Sequence, residues 1–254
     1  MDISGKTAIV TGSAVGVGRA VALDLAKRGA NVVVNYSRSE DEARQTLADV
    51  EALGAKALLA RADVSQDDQV RDMVNETLGR FEAVDILVNN AGITYFVNFD
   101  DLEGLTEEIW DRIYAVNVKG LFFCSRAVIP PMKRQGEGCI VNISSVSGVR
   151  AVGSSIAYCA SKAAVINMTV AFARTFAPEV RVNCVAPGFV DTRWHQARRG
   201  AAEYEEFKAA VGRMVPLGRI CTPEDISHVV IDFIEAEMVT GQTLLVDGGI
   251  ALGR

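Results

Sequence analysis

Apolar residues fall in short unbroken runs: AIV at 8–10, VVV at 32–34, ILV at 86–88 and CIVNI at 139–143. Longer stretches with helical spacing of apolar positions lie between them. The pattern predicts strands at Thr7–Val10, Asn31–Tyr36, Ala55–Ala60, Val84–Val88, Cys139–Ile143, Val180–Val185 and Thr243–Val246. It predicts helices at Gly18–Arg28, Ser39–Leu53, Asp67–Arg80, Glu107–Lys133, Ser155–Phe176 and Pro223–Ile234. Strands that do not alternate with polar residues belong to parallel sheets covered on both faces. Strict β–α alternation implies right-handed crossovers. The expected fold is α/β, a Rossmann-type, doubly wound parallel sheet of seven strands with helices on both faces. No linker, repeat or low-complexity tract divides the chain, so residues 1–254 read as one domain.

Two stretches break the rhythm. Residues 94–105 (TYFVNFDDLEGL) follow the fourth strand, and residues 188–214 follow the sixth. Both leave carboxyl ends of strands, where open α/β sheets bind ligands, and long connections there read as substrate loops.

Composition narrows the class. Apolar residues make up 49% of the 254, which is globular, and the net charge of −6 gives no basic footprint for nucleic acid. Five scattered cysteines without a CxxC, and two histidines, read as reduced buried thiols and no metal site. The N-terminus runs straight into a strand pattern, and no uninterrupted apolar run has bilayer length. The expected compartment is the cytoplasm, with no membrane partner.

The turn between the first strand and first helix reads Thr11-Gly12-Ser13-Ala14-Val15-Gly16-Val17-Gly18. Its glycines let main chain approach a pyrophosphate, and a helix N-terminus adds free N–H donors. The spacing is TGxxxGxG rather than GxGxxG. Further motifs follow in order: Asn89-Asn90-Ala91-Gly92, Asn117 within VNVKG, Ser145 within ISS, Tyr158 and Lys162 as YxxxK, and Pro187-Gly188 after the sixth strand. The ordered set resembles the short-chain dehydrogenase/reductase family along nearly the whole chain. Within that family it looks closest to the 3-oxoacyl-acyl-carrier-protein reductase-like members.

Hydride transfer between a carbonyl and an alcohol needs an acid–base beside the reacting oxygen. Tyr158 and Lys162 stand four apart on a predicted helix, hence on one face. A nearby cation makes a tyrosine usable near neutrality. The resemblance implies that Tyr158 is the acid–base and that Lys162 supplies charge and grips the nicotinamide ribose. It implies that Ser145, or its neighbour Ser144, hydrogen-bonds the substrate oxygen. Asn117, a poor helix former inside a helix, would hold a relay water; the alternative is a buried amide satisfying main chain at a kink. For the cofactor the resemblance implies Gly12, Ser13, Val15, Gly16, Val17 and Gly18 around the phosphates. Asp63 and Val64 would stand at adenine, though Asp63 also suits a cap for the following helix. Asn90, Ala91 and Gly92 would shape the turn at the ribose, and Pro187, Gly188, Val190 and Thr192 would stand at the carboxamide. His195 has no necessary role, and Cys159 reads as a small buried residue.

An acid at the end of the second strand would bond the adenosine 2′-hydroxyl and repel a 2′-phosphate. This chain has Asn35-Tyr36-Ser37-Arg38 there. Ser37 and Arg38 suit a phosphate, so NADP(H) is the favoured cofactor and NAD(H) the alternative. Val15, where many NADP users in the family carry a basic residue, speaks the other way, and Arg38 has the alternative of pairing with Glu40 or Asp41. The favoured substrate is a carbonyl or secondary alcohol, including a 3-oxoacyl thioester. A small ketone, sugar or polyol is the alternative, and a non-catalytic dinucleotide sensor is the reading from another class. Tyr95, Phe96, Phe99 and Trp194 would line a partly apolar pocket, and Arg193, Arg198 and Arg199 would suit a carrier protein. The resemblance implies a homotetramer built on the helices 107–133 and 155–176. Ala163, Ala164, Ala171 and Ala173 would keep the second of these slim.

Overall fold

The computed structural model describes residues 1–196 and 200–252, with the side chains of Trp194, His195 and Ala201 outside that description. Arg198 and Arg199 also lie outside the described residues. Among them run β1 (Thr7–Val10), α1 (Gly16–Lys27), β2 (Asn31–Tyr36), α2 (Glu40–Ala52), β3 (Ala57–Arg61), α3 (Asp67–Phe81) and β4 (Ile86–Asn89). Then follow α4 (Glu107–Tyr114), a π-helical turn (Ala115–Gly120), α5 (Leu121–Gln135), β5 (Gly138–Ile143), α6 (Ser147–Arg150) and α7 (Ile156–Phe176). The chain closes with β6 (Val180–Pro187), α8 (Arg193–Gln196), α9 (Ala201–Met214), α10 (Pro223–Glu235) and β7 (Thr243–Val246).

The strands form one parallel sheet in the order β3-β2-β1-β4-β5-β6-β7. The order reverses between β1 and β4, so the carboxyl ends of those strands open a crevice. Alternate residues of each central strand feed opposite cores. Ala8, Val10, Val32, Val34, Ile86 and Val88 pack towards α1, α2 and α10. Ile9, Val33, Leu87 and Ile140 pack towards α3 and α5. Two-sided burial is the physical reason these strands lack a polar face.

All seven strands lie where the pattern put them; β1, β2 and β7 keep the expected bounds, β5 begins one residue earlier at Gly138, β6 runs on to Pro187, and two shift. β3 begins at Ala57 rather than Ala55, because its pairing with β2 starts at Val32↔Ala57. β4 runs Ile86–Asn89 rather than Val84–Val88, pairing from Ile86 with Ala8. The helix expected over 107–133 is a correction: the π turn divides it into α4 and α5. The connection 188–214 contains α8 and α9, which the pattern did not predict.

α7 is long and apolar enough to cross a membrane by length and composition. Here it lies on the sheet instead, burying Tyr158, Lys162, Val165 and Thr169. Its start is fixed by Ser155, whose hydroxyl accepts the Tyr158 N–H at 3.3 Å.

Candidate active site

A cleft of about 1010 Å³ opens at the carboxyl ends of the strands. Its wall includes Gly12, Val15, Gly16, Val17, Ser37, Arg38, Asp63, Val64, Asn90, Ala91, Gly92, Ser145, Tyr158, Lys162, Pro187, Gly188, Val190 and Thr192. These are residues that the motifs singled out, gathered from seven segments of chain. Ser13, Gly18 and Asn117 do not face it and act from behind.

The glycine turn is held from below. Gly12 and Gly16 have φ of +62° and +59°, the left-handed region that side chains disfavour. Gly18 is needed for closeness: a Cβ there would stand 2.5 Å from Asn90 Nδ2 and 2.6 Å from Gly12 O. Ser13 is fully buried and donates to Val10 O at 2.7 Å while accepting the Asn35 N–H at 3.0 Å. Asn90 donates from Nδ2 to Thr11 O (2.8 Å) and Gly12 O (3.1 Å), so its amide braces the turn. The Thr11 hydroxyl accepts the N–H groups of Asn90 and Ala91, both at 3.0 Å. α1 then begins at Gly16 with no side-chain cap on its first N–H groups. Uncapped donors, an open cradle and a cleft of this size fit a dinucleotide pyrophosphate.

Two residues in this frame carry no motif. Asn35, 1% exposed, accepts the Gly12 N–H at 3.0 Å and donates to Ala60 O and Ala62 O at 3.2 and 3.1 Å. Its amide thus ties the glycine turn to the end of β3; the signal was an asparagine inside an apolar strand. Arg112 of α4 pairs with Asp63 at 3.2 Å, and Asp63 also accepts the Ser65 N–H and hydroxyl at 3.0 and 2.7 Å. Burial raises the Asp63 carboxyl, but the bonds from Ser65 and Arg112 outweigh it and leave it below the usual range. Asp63 therefore shapes the turn ahead of α3, whose N-cap is Gln66 rather than Asp63.

Further along the cleft, Tyr158 and Lys162 are 8% and 4% exposed. Burial pushes the Tyr158 phenol up to about 12, against the pull of a hydrogen bond with Ser145. Burial brings the Lys162 ammonium down to about 8. That ammonium donates to Ile143 O at 2.8 Å and stands 5.7 Å from the Tyr158 ring centroid. The two serines at the end of β5 separate: Ser144 donates to Lys162 O at 2.7 Å, whereas Ser145 bonds Tyr158 and, at 3.2 Å, the Ser147 hydroxyl. Asn117 is 2% exposed and saturates main chain: it accepts the Ile93 N–H at 2.9 Å and donates to Ile93 O at 3.0 Å and Ser161 Oγ at 3.1 Å. That is the buried-amide alternative, set in a π turn, a feature frequent at functional sites.

The walls beyond Tyr158 come from Thr94, Tyr95, Phe96, Val152, Ser154, Phe189 and Phe207. Thr94 and Ser154 hydrogen-bond through their hydroxyls, and Val97 N–H donates to Ser154 O at 2.9 Å, pinning the loop 94–105 to the segment before α7. Asp191 anchors α9 by accepting from Tyr204 Oη at 2.7 Å and Lys208 Nζ at 3.3 Å. Phe99 is 39% exposed and does not line the cleft.

Fold and site together define an oxidoreductase whose cleft fits a dinucleotide. The family model for short chain dehydrogenases matches residues 6–203, and the chain belongs to that family, whose members act on CH–OH and C=O groups. It is 40% identical, over 96% of both chains, to a ketoacyl reductase assigned to the granaticin polyketide synthase of Streptomyces violaceoruber. It is 37% identical to the 3-oxoacyl-acyl-carrier-protein reductase FabG of Staphylococcus epidermidis, over 96% of this chain and 98% of that one. A gluconate 5-dehydrogenase from Burkholderia cenocepacia, solved with NADP and tartrate, superposes with a TM-score of 0.88 at 32% identity, covering 99% and 97% of the two chains.

Proposed function

We propose that the protein reduces a ketoacyl substrate, a 3-oxoacyl thioester or a related polyketide ketone, with NADPH. The observation that carries the reading is the sharing of polar groups along the cleft. Around Ser145 and Tyr158 the lining from residues 94–96, 143–147, 152–154, 189 and 207 carries no charged side chain, and the nearby Lys162 ammonium is buried and donates to Ile143 O; Arg38 stands with Ser37 at the end of β2. An uncharged, partly aromatic wall suits a neutral acyl chain. A sugar acid such as the tartrate of the gluconate dehydrogenase complex would call for a cation there. Of the two alternative partners for Arg38, Glu40 is engaged with Arg44 at 2.6 Å, and Asp41 forms no ion pair with Arg38 among the described residues. Among the described residues Arg38 carries no ion pair, which leaves its guanidinium for a phosphate.

A bound reduced nicotinamide supplies the hydride. Ser145 donates a hydrogen bond to the substrate oxygen and polarises it. Tyr158, protonated at neutral pH, gives its phenolic proton to that oxygen as the alkoxide forms. Lys162 holds positive charge beside the ring for the phenolate left behind. Asn117 fixes Ile93, and so the wall opposite Tyr158.

Assembly as a homotetramer in the cytoplasm belongs to the same reading. Phe122 and Val170 on α5 and α7 are 39% and 49% exposed, and Leu217 and Leu252 near the C-terminus are 79% and 83% exposed. These are two apolar patches for a partner copy to cover. Ala163 and Ala171 face outward as the slim helix requires, whereas Ala173 is buried on its own sheet.

The test is a substrate panel followed by reduced-nicotinamide absorbance, with acetoacetyl thioesters, cyclic ketones and gluconate-type acids each offered with NADPH and NADH. Turnover of the ketoacyl compounds with NADPH preferred is expected. Preference for the sugar acids or for NADH would overturn the reading. Light scattering at micromolar protein reads the assembly; a fully active species at the chain mass of 27.2 kDa would sink the tetramer.

A further inference from the structure

The connection after β6 crosses the cleft and takes hold of its far corner. Arg193, the first residue of α8, donates from Nη1 to Glu42 Oε1 at 2.9 Å and from Nη2 to Ser39 Oγ at 2.8 Å. The partners are 151 and 154 positions away in the chain, on and just before α2. On the way, the methyl of Thr192 passes over the glycine turn, 3.5 Å from where a Cβ at Gly16 would stand. Ser37, Arg38, Ser39 and Arg193 line the same cleft, and Ser39 is the next residue after Arg38.

This corner has a mixed electrostatic design. Glu42 in the first turn of α2 is an acid close to the place assigned to a phosphate dianion. Left alone it would repel that group; paired with Arg193 it is neutralised. The guanidinium has five N–H donors in a rigid fork, and Glu42 and Ser39 engage two. Arg38 alone beside Glu42 would leave the corner without net charge; Arg193 restores one positive charge and brings further N–H donors towards a phosphate dianion.

We propose that Arg193 is the second guanidinium of the 2′-phosphate corner, delivered by the loop that also covers the substrate side of the cleft. The proposal rests on the NADP(H) reading above and adds a residue that lies far in sequence from β2. One chain segment thereby connects recognition of the cofactor's phosphate to the wall that carries Thr192 and Phe207.

The experiment titrates the purified full chain with NADPH and with NADH, following reduced-nicotinamide fluorescence without substrate. Wild type, Arg193→Ala, Arg193→Lys and Arg38→Ala are compared. Each side chain of the Arg193–Glu42 pair is 48% exposed, so its loss leaves folding intact, and a thermal melt checks this. Loss of a charge-assisted contact predicts that Arg193→Ala weakens NADPH binding about tenfold or more. NADH binding stays within about twofold, and the lysine variant recovers part of the loss because it restores charge but not the fork. Equal weakening for both cofactors, or unchanged NADPH binding by Arg193→Ala beside a phosphate-selective loss in Arg38→Ala, overturns the proposal and leaves the NADP(H) reading standing. Wild type that binds NADH as tightly as NADPH, with neither variant selective, removes the NADP(H) reading and the proposal with it.

Discussion

Asn35→Ala removes three hydrogen bonds from one buried point. The amide accepts the Gly12 N–H at 3.0 Å and donates to Ala60 O and Ala62 O at 3.2 and 3.1 Å. Asn35, Ala60 and Ala62 are 1%, 2% and 1% exposed, so the two carbonyl partners have no bulk water at hand, whereas Gly12 lines the cleft. An orphaned buried main-chain group costs about 1–3 kcal/mol. The space vacated by the amide is polar and can take a water, which offsets part of the loss. The expected destabilisation is therefore about 2–4 kcal/mol, in the upper range for a single substitution. For a chain of this size that lowers Tm by roughly 4–16 °C. Urea unfolding measures the stability, and a dinucleotide titration measures the second effect, weaker binding by a glycine turn whose Gly12 N–H is no longer aimed. Asn35→Asp is the sharper control: it keeps an acceptor for Gly12 but sets a carboxylate against two carbonyl oxygens, and is expected to be less stable than the alanine variant. An alanine variant within about 0.5 kcal/mol of wild type, with unaltered binding, would refute the bracing role.

Tyr158→Phe keeps the ring and removes the phenol; turnover is expected to fall by roughly two to four orders of magnitude with cofactor affinity unchanged, and a folded variant of near-normal turnover would exclude Tyr158 as the acid. The two serines should part company: Ser145→Ala lowers turnover about hundredfold with little change in stability, whereas Ser144→Ala costs about 1 kcal/mol through its lost bond to Lys162 O and keeps turnover within about tenfold; the reverse ranking in paired kinetic and melting assays would exchange their roles. Lys162 gives a pH signature: its folded value of about 8 lies below the ordinary lysine value of 10.5, so the folded state carries the cost of burying charge in full below pH 8 and sheds it as pH rises towards 10.5. Urea unfolding should show the stability gap between Lys162→Met and wild type narrowing from pH 7.5 to 9.5, by at most about 1.4 kcal/mol per pH unit, and parallel curves would contradict the buried ammonium.

Sheet and motifs were legible because each is written locally. AIV, VVV and ILV are apolar throughout since both faces of β1, β2 and β4 are covered, and a run of three such residues marks a strand of four to six. The motif residues were legible as a set because most follow the carboxyl end of a strand, and those ends meet at one crevice. Elements that depend on distant partners were not. The π turn at Asn117 exists where its amide takes both main-chain groups of Ile93, 24 residues away. α9 has a weak apolar stripe and is tied down by Asp191 through Tyr204 and Lys208. Thr11, Asn35 and Arg112 work through contacts 79, 25 and 49 residues apart, and no spacing rule reports such pairs. Arg193 reads in the sequence as a docking cation for a carrier protein; its bonds to Glu42 and Ser39 depend on partners more than 150 residues away, which the sequence does not report.

Burial acts on Tyr158 and Lys162 in the same sense, disfavouring charge on each. Taken singly, a phenol at about 12 and an ammonium at about 8 describe two groups resisting ionisation. Taken together they behave differently, since a positive ammonium near the ring makes a phenolate less costly and the phenolate in turn holds the proton on the amine. The ammonium stands 5.7 Å from the ring centroid, near enough to lower the cost of a phenolate. At neutral pH the favoured state has both protons in place, which in the proposed reaction would give an acid for the forming alkoxide and a cation for the phenolate that results. The surroundings keep the pair in that state: Ile143 O takes one ammonium proton at 2.8 Å, and Ser145 bonds the phenol. Gly92 leaves the room, for a Cβ there would stand 3.5 Å from Lys162 Nζ and 3.4 Å from Asn117 Oδ1. Tyr158 bonds Ser145 and stands beside Lys162, and Asn117 joins them through Ser161 of the same helix. Losses among groups that act together do not add, so Tyr158→Phe combined with Ser145→Ala should turn over little more slowly than Tyr158→Phe alone.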